Sequence, residues 1–483
     1  MKRMIILVLA AFGTALSQEI PLFTTDFPPE EFAQRRARIY EEIGPHAIAI
    51  LQGAPSPQGY IRFRQYNEFY YVCGIEVPHA YVLLDGSRKR ATVYLPHRNQ
   101  GRERSEGKLL SAEDGDLIRQ LTGIEGVAPS DLLAEQLSGA ARSVNMKTIY
   151  TPLKPGEGFA VSRDLALRYN ADVASDPFDG RTSREGNFVD LLKARFPMFE
   201  VKDLSPILDD LRLIKSSREL QLIRKATRLG GLALMEGMRS TAPGMMEYEL
   251  DAMAKYVFYR NGAQGEAYYS LVQSGPNALF GHYNAGKRML KDGDMLLFDF
   301  APDVGYYMSD VTRVWPVNGK FSSSQRELYN FYLASYKAIL KAIRPGATAQ
   351  TIKKEIASEM ELILSKTKWS KVLYEEAAKQ FVMNYKNGAA NPGTMLGHWT
   401  GMATHDVGTS TGPLKPGMVF TIEPSLVVKE ENINIRLEDL IIITESGKEV
   451  PSDFIPMEIE EIEKLMKEEG MLQRYPADAG KER

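Results

Sequence analysis

The sequence has 483 residues and only one cysteine, Cys73. A single cysteine excludes an intrachain disulfide and a zinc site built from several thiolates. An excess of one charge is also missing, because 59 basic residues stand against 62 acidic residues and the net charge is −3. Without a basic excess, the chain lacks the electrostatic signature of a protein that binds nucleic acid or an anionic membrane. We therefore expect neither partner.

Long hydrophobic runs are absent as well. The apolar run MIILVLAAFGTAL at 4–16 has thirteen residues, which is too few to span a bilayer. It follows the basic residues Lys2 and Arg3 and ends in small residues, the layout of a secretory signal peptide over 1–17. The alternative is a membrane anchor. We expect cleavage after Ser17 and export of a mature protein that has no membrane segment, either to a periplasm or out of the cell.

The length predicts two or more domains. Residues 28–200 alternate helical patches with β-rich runs that end at glycine, such as HAIAILQG at 46–53 and HAYVLLDG at 79–86. This pattern predicts a mixed α/β domain at the front of the chain. The histidines of this part lie far apart without ligand spacing, and we interpret them as structural: His46, His79 and His97.

The second part of the chain, 204–470, has a different order of elements. Helical periodicity begins near residue 209, and β-type segments follow around 266–316. Helices return around 323–385, and further β-type segments come around 418–444. The predicted fold class is therefore α+β. The polar end, 471–483, is expected to be disordered.

One stretch places two aspartates in apolar surroundings. LLFDFAPDVGYYMSDVTR at 296–313 reads as two strands joined by a turn. A hairpin centred between Val304 and Gly305 would set Asp299 opposite Asp310, with Cβ atoms roughly 4.5–5.5 Å apart. Like charges at that distance need a shared proton, a nearby cation or a metal ion. Alternatively, the hairpin is offset and one aspartate caps a turn.

Further candidates follow downstream. His398 and His405 lie seven residues apart in the glycine-rich segment MLGHWTGMATHDVG. Glu423 ends an apolar run in PGMVFTIEPS, directly before a proline. In NINIRLEDLIIIT, period-two alternation places Arg436 and Glu438 on one face of a strand. An ion pair between these two residues is the simpler interpretation.

Together, the carboxylates would place four negative charges in one core: Asp299, Asp310, Glu423 and Glu438. Two divalent cations would neutralise that charge and leave His398 as a nitrogen ligand. An oxygen-rich set with one imidazole suits Mn²⁺, Co²⁺ or Fe²⁺ at least as well as Zn²⁺. Paired ions roughly 3.5–4 Å apart hold a hydroxide and polarise a carbonyl, as amide hydrolysis requires.

Five ordered segments resemble the pita-bread metallopeptidases, the family of aminopeptidase P, prolidase and methionine aminopeptidase. They are GHYNAG at 281–286, DFAPDVGYYMSD at 299–310, GHWTGMATHDVG at 397–408, TIEPS at 421–425 and IRLED at 435–439. The resemblance implies a pita-bread catalytic domain in 204–470. It also implies five metal ligands, of which Asp310 and Glu438 would bridge two ions: Asp299, Asp310, His398, Glu423 and Glu438.

The resemblance assigns roles to other residues as well. His282 and His405 match active-site histidines that orient the substrate and stabilise the tetrahedral intermediate. Glu423 would also carry the proton from the water to the leaving amine. Arg436 matches an arginine that steadies the site and contacts the substrate.

The front domain narrows the expected activity. YIRFRQYNEFYYVCGIEVPHAYVLL at 60–84 is similar to the N-terminal domains of aminopeptidases P, which methionine aminopeptidases lack. The resemblance implies an exported enzyme with two metal ions that uses a bridging hydroxide to cleave the first peptide bond of substrates with proline in second position. We expect manganese, with cobalt, zinc or iron as alternatives. An Xaa-Pro dipeptidase, a non-peptidase pita-bread hydrolase or a binding protein are the alternative functions, and a homo-oligomer is open.

Two residues depart from the family pattern. Thr394 stands where the proline-specific members usually have a histidine, four residues before His398. Phe300 follows Asp299 where a small residue is common and would add bulk near one metal ion. The first departure bears on how a proline is accommodated, and the second on the range of substrates.

Overall fold

A computed structural model describes residues 26–409 and 412–475. The predicted signal peptide, 1–17, lies outside the described residues. None of the helices in the described ranges has both the length and the apolar character needed to cross a membrane.

The front domain is a mixed sheet covered by helices, with strand order β4-β3-β2-β1-β5-β6. Strands β1, β2 and β3 pair antiparallel, and the outer strands join in parallel. The strands are β1 Ala47–Gln52, β2 Tyr81–Asp85, β3 Arg90–Leu95, β4 Gly126–Pro129, β5 Thr148–Thr151 and β6 Glu200–Asp203. The helices are α1 Pro29–Ile43, α2 Asn67–Cys73, α3 Gln100–Glu106, α4 Gly115–Thr122, α5 Leu133–Ala141, α6 Arg163–Ser175 and α7 Arg184–Arg195.

Strand β1 shows why this sheet lies between two layers. Its sequence AIAILQ is apolar at nearly every position, as expected for a strand that is buried on both faces. Ala49 packs in one apolar cluster with Phe32 of α1, whereas Ile48 and Ile50 pack in another cluster with Leu192 of α7. Because side chains alternate along a strand, the apolar residues of β1 contribute to one core on each face of the sheet.

The rear domain combines long helices with short antiparallel sheets, which confirms the predicted α+β class. Its helices are α8 Ser205–Leu213, α9 Ser217–Ser240, α10 Glu247–Arg260, α11 Ser323–Ala342, α12 Ala349–Lys366, α13 Val372–Ala390, α14 Ile459–Leu465 and α15 Met471–Arg474. Its strands are β7 Gly265–Glu266, β8 Leu271–Ser274, β9 Met295–Asp299, β10 Pro302–Val304, β11 Tyr307–Met308, β12 Thr312–Pro316, β13 Val419–Ile422, β14 Ser425–Val428, β15 Ile433–Arg436, β16 Asp439–Ile443 and β17 Lys448–Glu449.

The structure corrects two expectations. The predicted disorder of 471–483 is wrong for its first residues, because Met471–Arg474 form helix α15. Met471 N–H donates to Glu236 and Leu472 N–H to Ser240, so this short helix is attached to α9. Residues 476–483 lie outside the described part of the chain.

The predicted hairpin register is also wrong, by two residues. Val304 pairs with Tyr307, and Asp299 pairs with Thr312 instead of Asp310. The turn contains Gly305 and Tyr306, both with positive φ (60° and 72°), as a two-residue turn of type I′ requires.

Tertiary contacts hold Tyr306 in a backbone conformation that tyrosine rarely adopts. The Tyr306 ring stacks on Tyr70 with centroids 3.6 Å apart, and its hydroxyl donates to Glu76 at 2.7 Å. The same hydroxyl accepts from the backbone N–H of Gln65 at 3.0 Å. The front domain thereby fixes the position of the turn in the rear domain.

A buried ionic cluster joins the two domains. Arg212 Nη2 lies 2.7 Å from Glu157 Oε2 of the front domain and 2.5 Å from Asp406 Oδ1 of the rear domain. Lys215 Nζ also contacts Asp406, at 3.1 Å, and all four side chains are at most 1% exposed. Burial alone would raise the pKa of Asp406, but Arg212 and Lys215 hold it below its ordinary value.

We predict that Arg212→Met lowers the free energy of unfolding by about 3–5 kcal/mol, because it leaves Glu157 and Asp406 as buried charges with fewer partners. Arg224→Met is a matched control, since Arg224 pairs with Glu449 at 2.7 Å but both side chains are more than one third exposed. Its effect should stay within about 1 kcal/mol. Urea denaturation measures both values, and equal effects would contradict a special role for the buried cluster.

Candidate active site

Three strand ends meet at the centre of the rear domain. Asp299 is the last residue of β9 and pairs with Thr312, the first residue of β12. Thr312 also exchanges backbone hydrogen bonds with Glu438, at 3.3 and 3.0 Å, just before β16 begins. Asp310 lies two residues before Thr312. These backbone hydrogen bonds bring the carboxylates of Asp299, Asp310 and Glu438 close together, although the predicted hairpin register was wrong.

Asp299 and Asp310 meet at the hydroxyl of Tyr268. The Tyr268 oxygen lies 2.6 Å from Oδ1 of each aspartate. A tyrosine hydroxyl has one proton to donate, so it satisfies one carboxylate at a time. Burial, together with the nearby Asp299 and Glu423, raises the pKa of Asp310 well above its ordinary value. The pair therefore needs a proton or a cation, as the sequence predicted.

Glu438 is the most deeply buried carboxylate of the group, at 1% exposure. Its Oε2 accepts from the Thr312 hydroxyl at 2.7 Å, but its Oε1 is buried with no hydrogen-bond partner in the described part of the chain. Burial, followed by Asp310 and Glu423, raises the pKa of Glu438 well above its ordinary value. A buried acceptor without a donor is expensive in free energy, and a cation would satisfy it.

His398 presents one nitrogen to these carboxylates. A Cβ on the preceding Gly397 would lie 1.8 Å from the carbonyl oxygen of Thr421, so only glycine allows this approach to β13. The His398 Nδ1 lies 3.2 Å from the carbonyl oxygen of Trp399. In the tautomer that donates its Nδ1–H to this carbonyl, the ring offers the lone pair of Nε2 to a metal ion. Nε2 lies 3.4 Å from Asp310 Oδ2.

Glu423 and Arg436 complete the group. Glu423 follows the last residue of β13, with Oε1 3.4 Å from His398 Nε2. Arg436 forms a buried ion pair with Asp299 and lies 3.7 Å from Glu423 Oε2. The simpler interpretation of the sequence, an Arg436–Glu438 ion pair, is wrong: no nitrogen of Arg436 comes within 4.0 Å of a Glu438 oxygen in the described structure.

The donor set fits divalent metal ions. One ligand atom each from Asp310, His398 and Glu438 lies within 4.8 Å of the other two. Asp299 joins this group through its contact with Tyr268, and Glu423 joins it through His398. Carboxylate oxygens with one imidazole, a buried oxygen without a donor and raised carboxyl pKa values together fit a divalent cation.

A cavity of about 240 Å³ opens onto the carboxylates. The two other histidines that were predicted from the sequence, His282 and His405, both line it. The His405 ring lies 4.4 Å from the His398 ring between centroids. The front domain also contributes to the cavity, through the loop before α6 and its first turn (Ala160, Ser162 and Leu165).

Two residues of this site were not predicted from the sequence. Asp164 of α6 lies 3.0 Å from His405 Nδ1, through its Oδ2. It comes from a stretch, 110–200, that is the least distinctive of the chain. Tyr268 stands in EAYYS at 266–270, where a tyrosine next to another gives no signal of its role. Only the fold brings Tyr268 to the aspartates and Asp164 to His405.

The structure also locates the two residues that depart from the family pattern, Phe300 and Thr394. Phe300 is buried and packs against Phe258 and Tyr268 behind the carboxylates, and it is not among the residues that line the cavity. Its bulk therefore supports Tyr268 and leaves the cavity open. Thr394 is also buried, and its hydroxyl oxygen accepts from Lys353 Nζ of α12 at 2.7 Å.

Comparisons with known proteins agree with this arrangement. Residues 221–445 match the model of metallopeptidase family M24, and residues 32–150 match the aminopeptidase P N-terminal domain. An Xaa-Pro aminopeptidase of Haemophilus influenzae is 29% identical over 468 residues, which cover 92% of this chain and 99% of the relative. An Xaa-Pro aminopeptidase of Escherichia coli strain K12 is 28% identical, over 90% of this chain and 97% of the relative.

A solved structure shows the same likeness in three dimensions. Aminopeptidase P from Escherichia coli with the inhibitor Pro-Leu superimposes with a TM-score of 0.73 at 27% identity, and the match covers 91% of this chain and 98% of that one. Both domains and their order are shared. The chain thus carries a catalytic domain of metallopeptidase family M24 behind an aminopeptidase P N-terminal domain, and it is a hydrolase of the metallopeptidase class.

Proposed function

We propose that this chain is an exported aminopeptidase that removes the first residue of peptides with proline in second position. The convergence of five potential ligands carries the proposal: Asp299, Asp310, His398 and Glu423 line one cavity, and the buried Glu438 lies beside Asp310 and His398. They would hold two divalent ions, and manganese is the metal that we expect. When bound, two divalent cations would polarise the scissile carbonyl and lower the pKa of a water molecule at the site.

Glu423 is the carboxylate placed to move a proton. Its side chain is 32% exposed, whereas those of Asp299, Asp310 and Glu438 are at most 7% exposed. A general base must be within reach of the water it deprotonates, and the Glu423 carboxylate lines the cavity. It takes a proton from the attacking water and gives it to the leaving amine. Loss of that proton carrier would slow turnover while the other four candidate ligands remain.

Arg436 and His405 orient groups around the reaction. The Arg436 guanidinium fixes Asp299 by an ion pair and faces Glu423. His405 donates its Nδ1–H to Asp164, which leaves Nε2 to contact the substrate. His282 is exposed and also lines the cavity, where it contributes a second imidazole.

Export rests on the sequence of residues 1–17, with its basic start and short apolar run. N-terminal sequencing of the protein secreted by cells expressing the full chain tests this part, because a mature chain that begins at residue 18 is expected.

We predict that the purified protein binds about two equivalents of Mn²⁺ and that binding raises Tm by several degrees, since the ions neutralise buried like charges. Asp310→Asn should abolish the shift and at the same time raise the Tm of the metal-free protein, because it removes one of those charges. Calorimetry with and without Mn²⁺ measures both effects. Asp292→Asn is the control, as this aspartate only contacts Asn318 at the surface; a loss of the metal shift in both variants would contradict the assignment.

We predict that the Mn²⁺-loaded enzyme hydrolyses Ala-Pro-Leu and that Glu423→Gln lowers kcat by about 10²–10⁴-fold because the proton carrier is lost. A panel of Xaa-Pro-Yaa tripeptides, Xaa-Pro dipeptides and peptides without proline establishes the substrate class. The measurement is the release of the N-terminal amino acid from each peptide. Cleavage restricted to Xaa-Pro dipeptides would replace the proposal with a dipeptidase. Cleavage only of peptides without proline would reject proline specificity.

We predict that Asp164→Ala lowers kcat/KM by about 10–100-fold, the range seen when the partner of a functional histidine is lost. Asp164→Asn should recover most of the activity, since its amide oxygen still accepts from His405 Nδ1. Asp172→Ala, on the exposed side of the same helix α6, is the control. If the alanine variant keeps its kcat/KM, or if the asparagine variant is equally impaired, His405 does not depend on this hydrogen bond.

A further inference from the structure

A second cavity of about 200 Å³, here called the side cavity, adjoins the active site. Glu423 lines both cavities and is the residue they share. Helices α12 and α13 line the side cavity through Lys353, Asn384 and Tyr385, and Ser425 also lines it. The proposed reaction does not account for any of the three helical residues.

Lys353 is a half-buried cation without an anionic partner. Its ammonium donates to Thr394 Oγ1 at 2.7 Å, and within the described ranges it forms no ion pair closer than 4.0 Å. Burial lowers its pKa. The side chain lies along α13, since a Cβ on Gly388 would be 3.1 Å from Nζ. An ammonium has three N–H donors, so one hydrogen bond leaves two of them for a ligand.

The neighbours of Lys353 add further donors. Asn384 accepts from Gln380 through its side-chain oxygen at 2.9 Å, so its NH₂ group is left to donate. The Tyr385 side chain makes a ring contact with Phe381, but its hydroxyl has no hydrogen-bond partner among the described residues. Lys353 and Tyr385 are half-buried, and donors in such positions are normally matched by acceptors. Asn384 is exposed and adds its NH₂ group to the same cavity. A set of donors that includes one positive charge is complementary to a carboxylate.

The position of the side cavity indicates which part of a substrate reaches it. Under the proposed function, on which this inference rests, Glu423 protonates the leaving amine. The peptide that follows the scissile bond therefore starts beside Glu423, and the side cavity lies next to that residue. Thr394 acquires a role here: where proline-specific relatives have a histidine, this chain has a hydroxyl that holds Lys353.

We propose that the side cavity binds a carboxylate on the leaving-group side of the substrate through Lys353, Asn384 and Tyr385. The carboxylate is either the C-terminus of a short peptide or an acidic side chain. The protein would therefore select short or acidic peptides among those it cleaves.

Binding of product-like dipeptides to the Mn²⁺-loaded protein tests the proposal. Isothermal titration calorimetry gives Kd for Pro-Leu and Pro-Leu-amide, which differ in the C-terminal charge, and for Pro-Glu-amide and Pro-Gln-amide, which differ in the side-chain charge. We expect the charged member of at least one pair to bind about tenfold more tightly, as a charge-assisted hydrogen bond implies. The pair that shows the preference identifies the source of the carboxylate.

Lys353→Met should reduce that preference to less than twofold with little change in the Kd of the uncharged member, and Lys353→Arg should retain most of it. Lys354→Met is the matched control, because Lys354 is the next residue of α12 and is exposed. A carboxylate that bound only to the metal ions would keep its preference in Lys353→Met. That result, or equal Kd values within both pairs for the wild type, would overturn the proposal.

Hydrolysis of Ala-Pro-Leu, measured in parallel, separates this proposal from the proposed function. No hydrolysis together with a Lys353-dependent preference would reject the aminopeptidase and retain the carboxylate site. Hydrolysis without such a preference would retain the aminopeptidase and reject the site. If Lys353→Met changes Tm, Lys353→Gln gives a second test of the same charge.

Discussion

The burial of like charges in one place is the constraint on which the rest of this structure depends. Asp299, Asp310 and Glu438 lie within the hydrophobic centre of the rear domain, and each is at most 5% exposed. Carboxylates in such surroundings need opposite charge or protons. Arg436 supplies one positive charge at Asp299, which leaves a net negative group. The strand ends, the tyrosine and the histidine around it are arranged so that cations complete the core.

The second ionic group, between the domains, differs in that it is nearly neutral by itself. Arg212 and Lys215 match Glu157 and Asp406 in number, and direct contacts satisfy both carboxylates. Asp406 follows His405 in the chain, so the same contacts fix the loop that carries this histidine. One ionic cluster therefore keeps the domains together, whereas the other is left incomplete for chemistry. The two clusters use the same residue types with opposite consequences.

The sequence predicted the elements and the five candidate ligands but not the geometry that joins them. These candidates could be picked out because each lies in a short motif that matches the family pattern. The hairpin register could not, because Tyr306 adopts positive φ only through its contacts with Tyr70 and Gln65, which are more than 200 residues away. Asp164 and Lys353 gave no signal for a similar reason: each stands on an ordinary helix, and only the fold turns it toward the site.

The order of the site residues along the chain has a consequence for synthesis. The front domain comes first and supplies Asp164, but the deepest carboxylate, Glu438, comes late in the chain, between β15 and β16. A growing chain therefore lacks its full set of ligands until almost the whole rear domain has left the ribosome. A chain that ends before Glu438 lacks the most deeply buried carboxylate of the group. Under the proposed function, the candidate metal site is therefore completed only when synthesis is nearly finished.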